Sequence, residues 1–248
     1  MTNIFTGKSI KEGVKILARI MKESKYAVVL TGAGMDTESN IPDFRGEDGL
    51  WRKIDPRVVA SIDTFKENYT LFREFYSERI ERLNFVKPHV GHYILADFEM
   101  RGIIKSIATQ NVSGLHRMAG NKKVYELHGN IRSIRCNNCG KEAEMEDFLS
   151  NNKCANCGEK ALRPNVVLFG EVLPFNEWIS AESDIKKSDL LIVIGTSLEV
   201  YPVNQLPMLS KGRLVLINKE DVDTYYNFDL KLIGKAGEIL RELMEAYE

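Results

Sequence analysis

Thr31-Gly32-Ala33-Gly34-Met35-Asp36-Thr37-Glu38-Ser39-Asn40-Ile41-Pro42-Asp43-Phe44-Arg45 is the stretch from which the rest of the chain can be read. Ahead of it runs Ala27-Val28-Val29-Leu30, short, apolar and β-branched, which reads as a buried strand. A buried strand entering Gly32-Ala33-Gly34 is how a dinucleotide-binding fold begins. The glycines permit a tight turn and close backbone approach to a pyrophosphate, and the amides that follow can face its charge. Thr37 stands where G-x-G-x-x-G would put a third glycine, so the glycines alone also fit an ordinary strand-to-helix turn. Ile41-Pro42-Asp43-Phe44-Arg45 is less common, since it gathers an acid, an aromatic ring and a guanidinium.

At 248 residues the chain has room for one large domain with a smaller insertion. Its 44% apolar share is ordinary for a globular protein, and a net charge of −1 provides no bulk attraction to nucleic acid or membrane. No apolar run is long enough to span a bilayer, and no signal-peptide core is evident. Ile10, Val14, Leu17 and Met21 form one helical face over Lys8 to Glu23. Acids lie among its lysines, so a core helix is expected rather than a transit peptide. All four cysteines fall in two pairs of one spacing, which points to a reducing, cytoplasmic setting.

Beyond the glycine turn, about Lys53 to Lys87 is helical and charged, with Phe65, Tyr69, Phe72, Phe75 and Tyr76 packing inward. A second amphipathic helix is expected from His89 to Met100. Ile103 to Thr109 reads as a strand with Gln110-Asn111 at its carboxyl end, where ligands bind in open α/β sheets. A short helix, Gly114 to Ala119, and a strand, Val124 to Leu127, lead to His128-Gly129. The cysteine region, Arg132 to Arg163, interrupts the pattern, and Asn165 to Gly170 is expected to resume it as strand and loop. A helix to about Lys187, the apolar strand Leu190 to Ile194, a further helix, the strand Arg213 to Ile217 and a helix from about Gly234 complete the alternation. The fold class is therefore α/β: a Rossmann-like, doubly wound parallel sheet with a smaller lobe. Residues 1–45, 89–130 and 165–248 are assigned to the sheet domain. The helical insertion 46–88 and a ribbon over 131–164 are assigned to the small lobe.

Cys136-x-x-Cys139 and Cys154-x-x-Cys157 are separated by residues 140–153, just under the spacing of about 15–20 residues seen in four-cysteine zinc sites. Four thiolates close a tetrahedron, so one structural Zn²⁺ is expected, with no position open to substrate. Two disulfides or a redox pair are the alternatives, disfavoured by the reducing setting and the absence of an adjacent βαβ unit. A nucleic-acid role is disfavoured because Glu142, Glu144, Glu146 and Asp147 cancel Arg132, Arg135, Lys141 and Lys153.

His89, His92 and His116 lie at or in helices and read as packing or capping groups. His128 stands at a strand's carboxyl end before a glycine, where its side chain can face a ligand and its titration range permits a general base.

Several runs together resemble the sirtuins, the NAD-dependent protein deacylases. The opening stretch resembles their G-A-G-x-S-x-x-x-G-I-P-D-F-R. Gln110-Asn111-Val112-Ser113-Gly114-Leu115-His116 resembles Q-N-I-D-x-L-H, and Glu126-Leu127-His128-Gly129 matches E-L-H-G. Val167-Leu168-Phe169-Gly170-Glu171 resembles V-x-F-G-E, Gly195 to Pro202 matches G-T-S-L-x-V-x-P, and Ile217-Asn218 matches the ribose-contacting I-N. They occur in family order around the cysteines, from about Val28 to the C-terminus.

The resemblance implies NAD as cosubstrate. Gly32, Ala33, Gly34, Thr37, Asp43, Phe44 and Arg45 would border it, and Gln110, Asn111, Val112 and Ser113 would lie near the nicotinamide ribose. Gly195, Thr196, Ser197, Asn218, Lys219 and Ala236 would hold the adenosine half. His128 would be the general base, with Asn111 the second catalytic residue. An acylated lysine in a protein or peptide would be the partner, lying extended against Val167, Leu168, Phe169, Gly170 and Glu171 on one side and Glu199, Val200 and Tyr201 on the other. Its acyl group would pass to ADP-ribose as nicotinamide leaves. No nucleic-acid or membrane partner is expected.

Four positions depart from the family pattern: Asp36 for serine, Asn40 for glycine, Val112 for isoleucine and Ser113 for aspartate. Asp36 beside a phosphate site would repel it unless turned away, and it also suits a helix N-cap. Ser113 would hydrogen-bond more weakly than a carboxylate, so Ser113→Asp is expected to strengthen the nicotinamide pocket. A protein-lysine deacylase is the first reading. ADP-ribosyl transfer or NAD glycohydrolysis is the second, and an NAD sensor with little catalysis the third. Tyr76 and Arg79 share a helix face and resemble the Tyr-x-x-Arg of sirtuins that remove succinyl or malonyl groups. Against that stands a solvated helix in which Arg79 pairs with Glu78 or Glu81.

Overall fold

The computed structural model describes residues 3–43 and 55–248. Among these residues ten strands appear in chain order: β1 (Asn3–Thr6), β2 (Ala27–Thr31), β3 (Ile104–Thr109), β4 (Val124–Glu126), β5 (Gly129–Cys136), β6 (Glu142–Ala143), β7 (Leu162–Val166), β8 (Leu190–Ile194), β9 (Arg213–Asn218) and β10 (Leu230–Ile233). Seven form a parallel sheet in the order β1-β10-β9-β8-β2-β3-β4, and β6-β5-β7 form a small antiparallel one.

The central strands are buried at every position, because helices cover both faces. The two-residue repeat of a strand sends alternate side chains to opposite cores. Ala27, Val29, Ile192 and Ile194 join the core that packs the helices Ile10–Glu23, Val90–Met100 and Ala236–Tyr247. Val28, Leu30, Leu191 and Val193 join the other, with Ala181 and Ile185 of the Phe175–Lys187 helix. Ile10–Glu23 buries Val14, Leu17 and Met21, as its apolar spacing requires.

The small lobe has its own core. Phe65, Phe72, Tyr76 and Ile80 pack against Ile131, Ile134 and Leu162 of the small sheet and Phe148 of the Met145–Leu149 helix. The charged stretch after the glycine turn is three helices among the described residues, Pro56–Val59, Ile62–Glu67 and Tyr69–Leu83. Ser61 and Asn68 break it, each side chain accepting a backbone N–H of the helix it starts.

Four expectations need correction. Asn165 and Val166 do not resume the parallel sheet; they pair antiparallel with Asn130 and Gly129 in the small one. The helix expected between β8 and β9 is a 3₁₀ segment, Val203–Leu209, whose internal Pro207 cannot donate to an α-helical ladder. The strands β1 and β10 were not anticipated. β1 is four mostly exposed residues at the sheet edge, and β10 is only four residues long with a single charged residue, Lys231, inside it.

Candidate active site

Strand order reverses between β2 and β8. From β2 the chain moves to β3 and β4 on one side, while β8 and β9 lie on the other. Ligands in such sheets bind beyond the carboxyl ends at that switch point. Here the loops after β2, β3, β4, β8 and β9 border one cleft of about 1350 Å³.

Two turns meet at its base. Gly34 N–H donates to Gly195 O at 2.8 Å. A Cβ on Gly34 would stand 2.8 Å from Gly195 Cα, and one on Gly195, whose φ is +64°, 2.2 Å from the Met35 nitrogen. Only glycine allows backbones to cross this closely, and the crossing presents main chain rather than side chain to a phosphate. Thr37 compensates for the missing third glycine by donating its hydroxyl to Gly34 O at 2.9 Å. Thr196 Oγ1 accepts from Gln110 Nε2 at 3.0 Å, so the β3 and β8 loops are tied across the cleft floor. Ala33, Ser197, Asn218, Lys219 and Ala236 line the same cleft. This cradle fits a dinucleotide.

His128 follows β4 and lines the cleft. Its Nδ1 lies 3.0 Å from the Gln110 carbonyl oxygen. A carbonyl only accepts, so the neutral ring carries its proton on Nδ1, and Nε2 is the basic nitrogen. Asn111 is buried. Its Nδ2 donates to Gly32 O at 2.9 Å, and its N–H to Thr109 Oγ1 at 3.0 Å, which locks the β3 loop to the glycine turn.

Asp36 turns away from the phosphate cradle. It stands at the start of the 3₁₀ turn Thr37–Ser39 but makes no capping bond, contrary to the N-cap reading. Its Oδ2 accepts from Ser113 Oγ at 2.7 Å and its Oδ1 from His92 Nε2 at 3.1 Å, all three residues buried. Asn40, at φ 62°, ends that turn in the left-handed region, where asparagine is the usual substitute for glycine. His89 caps Val90–Met100 by accepting from Gly91 N–H, and its Nε2 donates to Met35 O at 2.7 Å. His116 Nε2 meets Thr31 Oγ1 at 3.0 Å. Burial and the neighbouring His92 push the His116 pKa down to about 3, so its ring is neutral.

On the opposite wall, Tyr76 and Arg79 of Tyr69–Leu83 line the cleft. Burial pushes the Tyr76 phenol up to about 12, against the pull of Arg79, so it stays a hydrogen-bond donor. Arg79 lies with its guanidinium carbon 5.4 Å from the Phe75 ring centroid. Glu78 pairs with Arg82 one turn further along the helix. The loop Val167 to Glu171 is held from within: Val167 N–H donates to His128 O, Phe169 N–H to Ala60 O and Leu168 N–H to the Glu171 carboxylate. Fully buried Arg163 grips that carboxylate through two bonds of 2.7 and 2.9 Å.

The four cysteine sulfurs lie within 4.8 Å of one another. Cys136 Sγ is 3.6 Å from Cys157 Sγ, and Cys139 Sγ 3.7 Å from Cys154 Sγ. These separations are far beyond a disulfide bond and match the edge of a ZnS₄ tetrahedron, about 3.8 Å for Zn–S bonds of about 2.3 Å. The two turns are copies. Gly140 N–H donates to Cys136 O and Gly158 N–H to Cys154 O, both glycines at positive φ. The donor set fits structural zinc.

The sequence model of the Sir2 family matches residues 32–202. The chain belongs to the Sir2 family. An NAD-dependent protein deacetylase of Oceanobacillus iheyensis is 43% identical over 228 residues, 90% of this chain and 96% of that one. An NAD-dependent protein deacylase of Archaeoglobus fulgidus is 42% identical over 245 residues, 95% and 96% of the two. Among solved structures, a Sir2 mutant bound to a deacetylated p53 peptide and 3′-O-acetyl ADP ribose superposes with a TM-score of 0.88 at 36% identity, over 94% of this chain and 97% of its own.

In this Sir2 protein the cleft gathers the expected residues of the β2, β3, β4, β8 and β9 loops together with Tyr76, Arg79, Val167 to Glu171 and Val200. Gly32 and Ser113 lie beneath its surface. Phe44 and Arg45 fall outside the described residues. Arg163 and His92 were not foreseen as partners of the site. A lone arginine in the mostly apolar stretch Ala161 to Leu168 was the available sign of the first, since a buried guanidinium demands a partner. Nothing local marked His92.

Proposed function

We propose that this Sir2 protein is an NAD-dependent protein-lysine deacylase, with a preference for acidic acyl groups. The observation that carries the reading is the joining in one cleft of His128, the glycine cradle and the Tyr76–Arg79 wall. NAD would be held by the crossed glycine turns, Thr196, Ser197, Asn218 and Lys219, and when bound it supplies the ribose that takes the acyl group as nicotinamide leaves. The chain's own residues do the rest. Asn111 and Gln110 hold the β3 loop in register with the glycine turn. The Gln110 carbonyl keeps the His128 proton on Nδ1, so Nε2 is the atom that takes a proton from a sugar hydroxyl. The two walls enclose the reacting amide and keep water away.

The acidic preference is supported by a phenol hydroxyl and a guanidinium on one wall, a receptor suited to a carboxylate at the acyl end. The ground for a sensor without catalysis weakens, because the Asp36 carboxylate faces Ser113 and His92 rather than the phosphate cradle. The reduced four-cysteine site supports a cytoplasmic setting. Among the described residues no helix is long and apolar enough to cross a membrane.

Incubating the protein with NAD and one peptide bearing acetyl-, succinyl- or malonyl-lysine tests the proposal. Peptide-dependent nicotinamide release is the expected result, fastest with succinyl or malonyl. Release that ignores the peptide would mean a glycohydrolase or transferase.

A further inference from the structure

Two of the departures from the Sir2 pattern, Asp36 and Ser113, touch each other. Position 36 lies on the loop after β2 and position 113 on the loop after β3, and these strands are parallel neighbours. Their loops therefore leave the sheet side by side, and Ser113 Oγ donates to Asp36 Oδ2 at 2.7 Å. The family pattern puts serine at the first position and aspartate at the second, so this chain has the same two side chains with their places exchanged. His92, fully buried on the Val90–Met100 helix, donates Nε2–H to the other carboxylate oxygen at 3.1 Å. Asp36 follows the cleft-lining Ala33 and Gly34, and Ser113 follows the cleft-lining Asn111 and Val112. The trio thus backs the cleft wall one layer down, on the side of Gln110, Asn111 and His128.

We propose that Asp36, Ser113 and His92 form one positioning unit behind the nicotinamide end of the cleft, in which the carboxylate is supplied by residue 36 instead of residue 113. The inference rests on reading the cleft as an NAD site. An ionised carboxylate only accepts, and here each oxygen has a donor. The pair works only as carboxylate plus hydroxyl. Ser113→Asp alone sets two carboxylates at hydrogen-bond distance in a buried place, where both cannot remain ionised. Asp36→Ser alone leaves two hydroxyls and removes the acceptor of a buried imidazole N–H. Exchanging both restores one acid and one hydroxyl. Restoring aspartate at 113 by itself is therefore harmful, which reverses the expectation drawn from the sequence.

The test is a double-mutant cycle of Ser113→Asp, Asp36→Ser and the two together. It reads kcat, KM for NAD, the nicotinamide inhibition constant and Tm. We expect Ser113→Asp to lower kcat/KM for NAD at least about 10-fold, as a lost charge-assisted hydrogen bond would. The double exchange should recover to within a few-fold of the parent, with nicotinamide inhibition recovering in step. A merely structural trio would move Tm and leave both constants alone, which overturns the proposal. So does a double variant whose loss equals the product of the single losses. If Ser113→Asp fails to fold while the double folds, the double variant decides: KM for NAD and nicotinamide inhibition within a few-fold of the parent support the unit, and a larger loss in both overturns it. If neither folds, Asp36→Asn, which keeps the shape, decides: unchanged KM for NAD and unchanged nicotinamide inhibition overturn it. A parent protein without acyl transfer would defeat the deacylase reading, and the cycle is then read from NAD dissociation constants.

Discussion

The His128 ring and the Gln110 carbonyl are joined by a 3.0 Å hydrogen bond, Nδ1 to O, between loops that leave the neighbouring strands β4 and β3. The bond sets the tautomer of the one histidine that lines the cleft among the described residues. A base held in this way should matter for proton transfer and little for binding. His128→Ala is expected to keep NAD affinity, measured calorimetrically, and to lose about 10²–10⁴-fold in acyl transfer. A variant within about twofold of the parent rate would take His128 out of the mechanism, being far below the general-base range.

Arg79→Met should lower kcat/KM for succinyl- and malonyl-lysine peptides by roughly 10–100-fold, the worth of a charge-assisted hydrogen bond, and spare the acetyl peptide. Tyr76→Phe should act in the same direction and more weakly. If the acetyl peptide is the best substrate of the parent and Arg79→Met leaves the ratios unchanged, no acidic acyl pocket exists.

Glu171→Gln tests the grip of Arg163 on the Val167 to Glu171 loop. Removing the charge of part-buried Glu171 leaves the fully buried Arg163 guanidinium uncompensated, at up to about 3 kcal/mol. Tm should fall, and KM for peptide should rise more than KM for NAD. Burial works against the Glu171 charge, but the Arg163 bonds overcome it and hold the carboxyl below its ordinary 4.5. This stabilisation is full above pH 4.5 and is lost as pH falls through the lower folded value.

His116 predicts a second pH dependence. Its folded pKa of about 3 lies below its ordinary 6.5, so between those values the unfolded chain holds a proton that the folded one does not. Stability should therefore drop as pH falls below 6.5, by up to about 1.4 kcal/mol per pH unit from this group. His116→Asn should flatten the Tm profile between pH 7 and 5. The same slope in parent and variant would assign the effect elsewhere.

Cys136→Ser or Cys154→Ser should lose metal and small-lobe structure together, because the four-thiolate site shares a core with Phe72, Phe148 and Leu162. Metal content and circular dichroism of the purified variants check this. A well-folded, metal-free variant with full activity would refute a structural zinc.

Features that depend on neighbours along the chain can be read from the residues alone. The apolar runs of β2 and β8 reveal a buried parallel sheet because covered strands need no polar face. The helix periods, the paired cysteine turns and the motifs ending in His128 and Thr196-Ser197 are all written within a few residues. The tertiary structure decided what depends on strand order. Asp36 suits a helix cap by residue type, yet its partner lies 77 positions away on the loop of the adjacent strand. Arg163 looked like the end of a ribbon and became the clamp of the Val167 to Glu171 loop. β1 and β10 became strands only because the sheet offered them an edge. A side chain's local preference is worth about 1 kcal/mol, whereas an unpaired charge buried by the fold costs several, so the fold chose the partners.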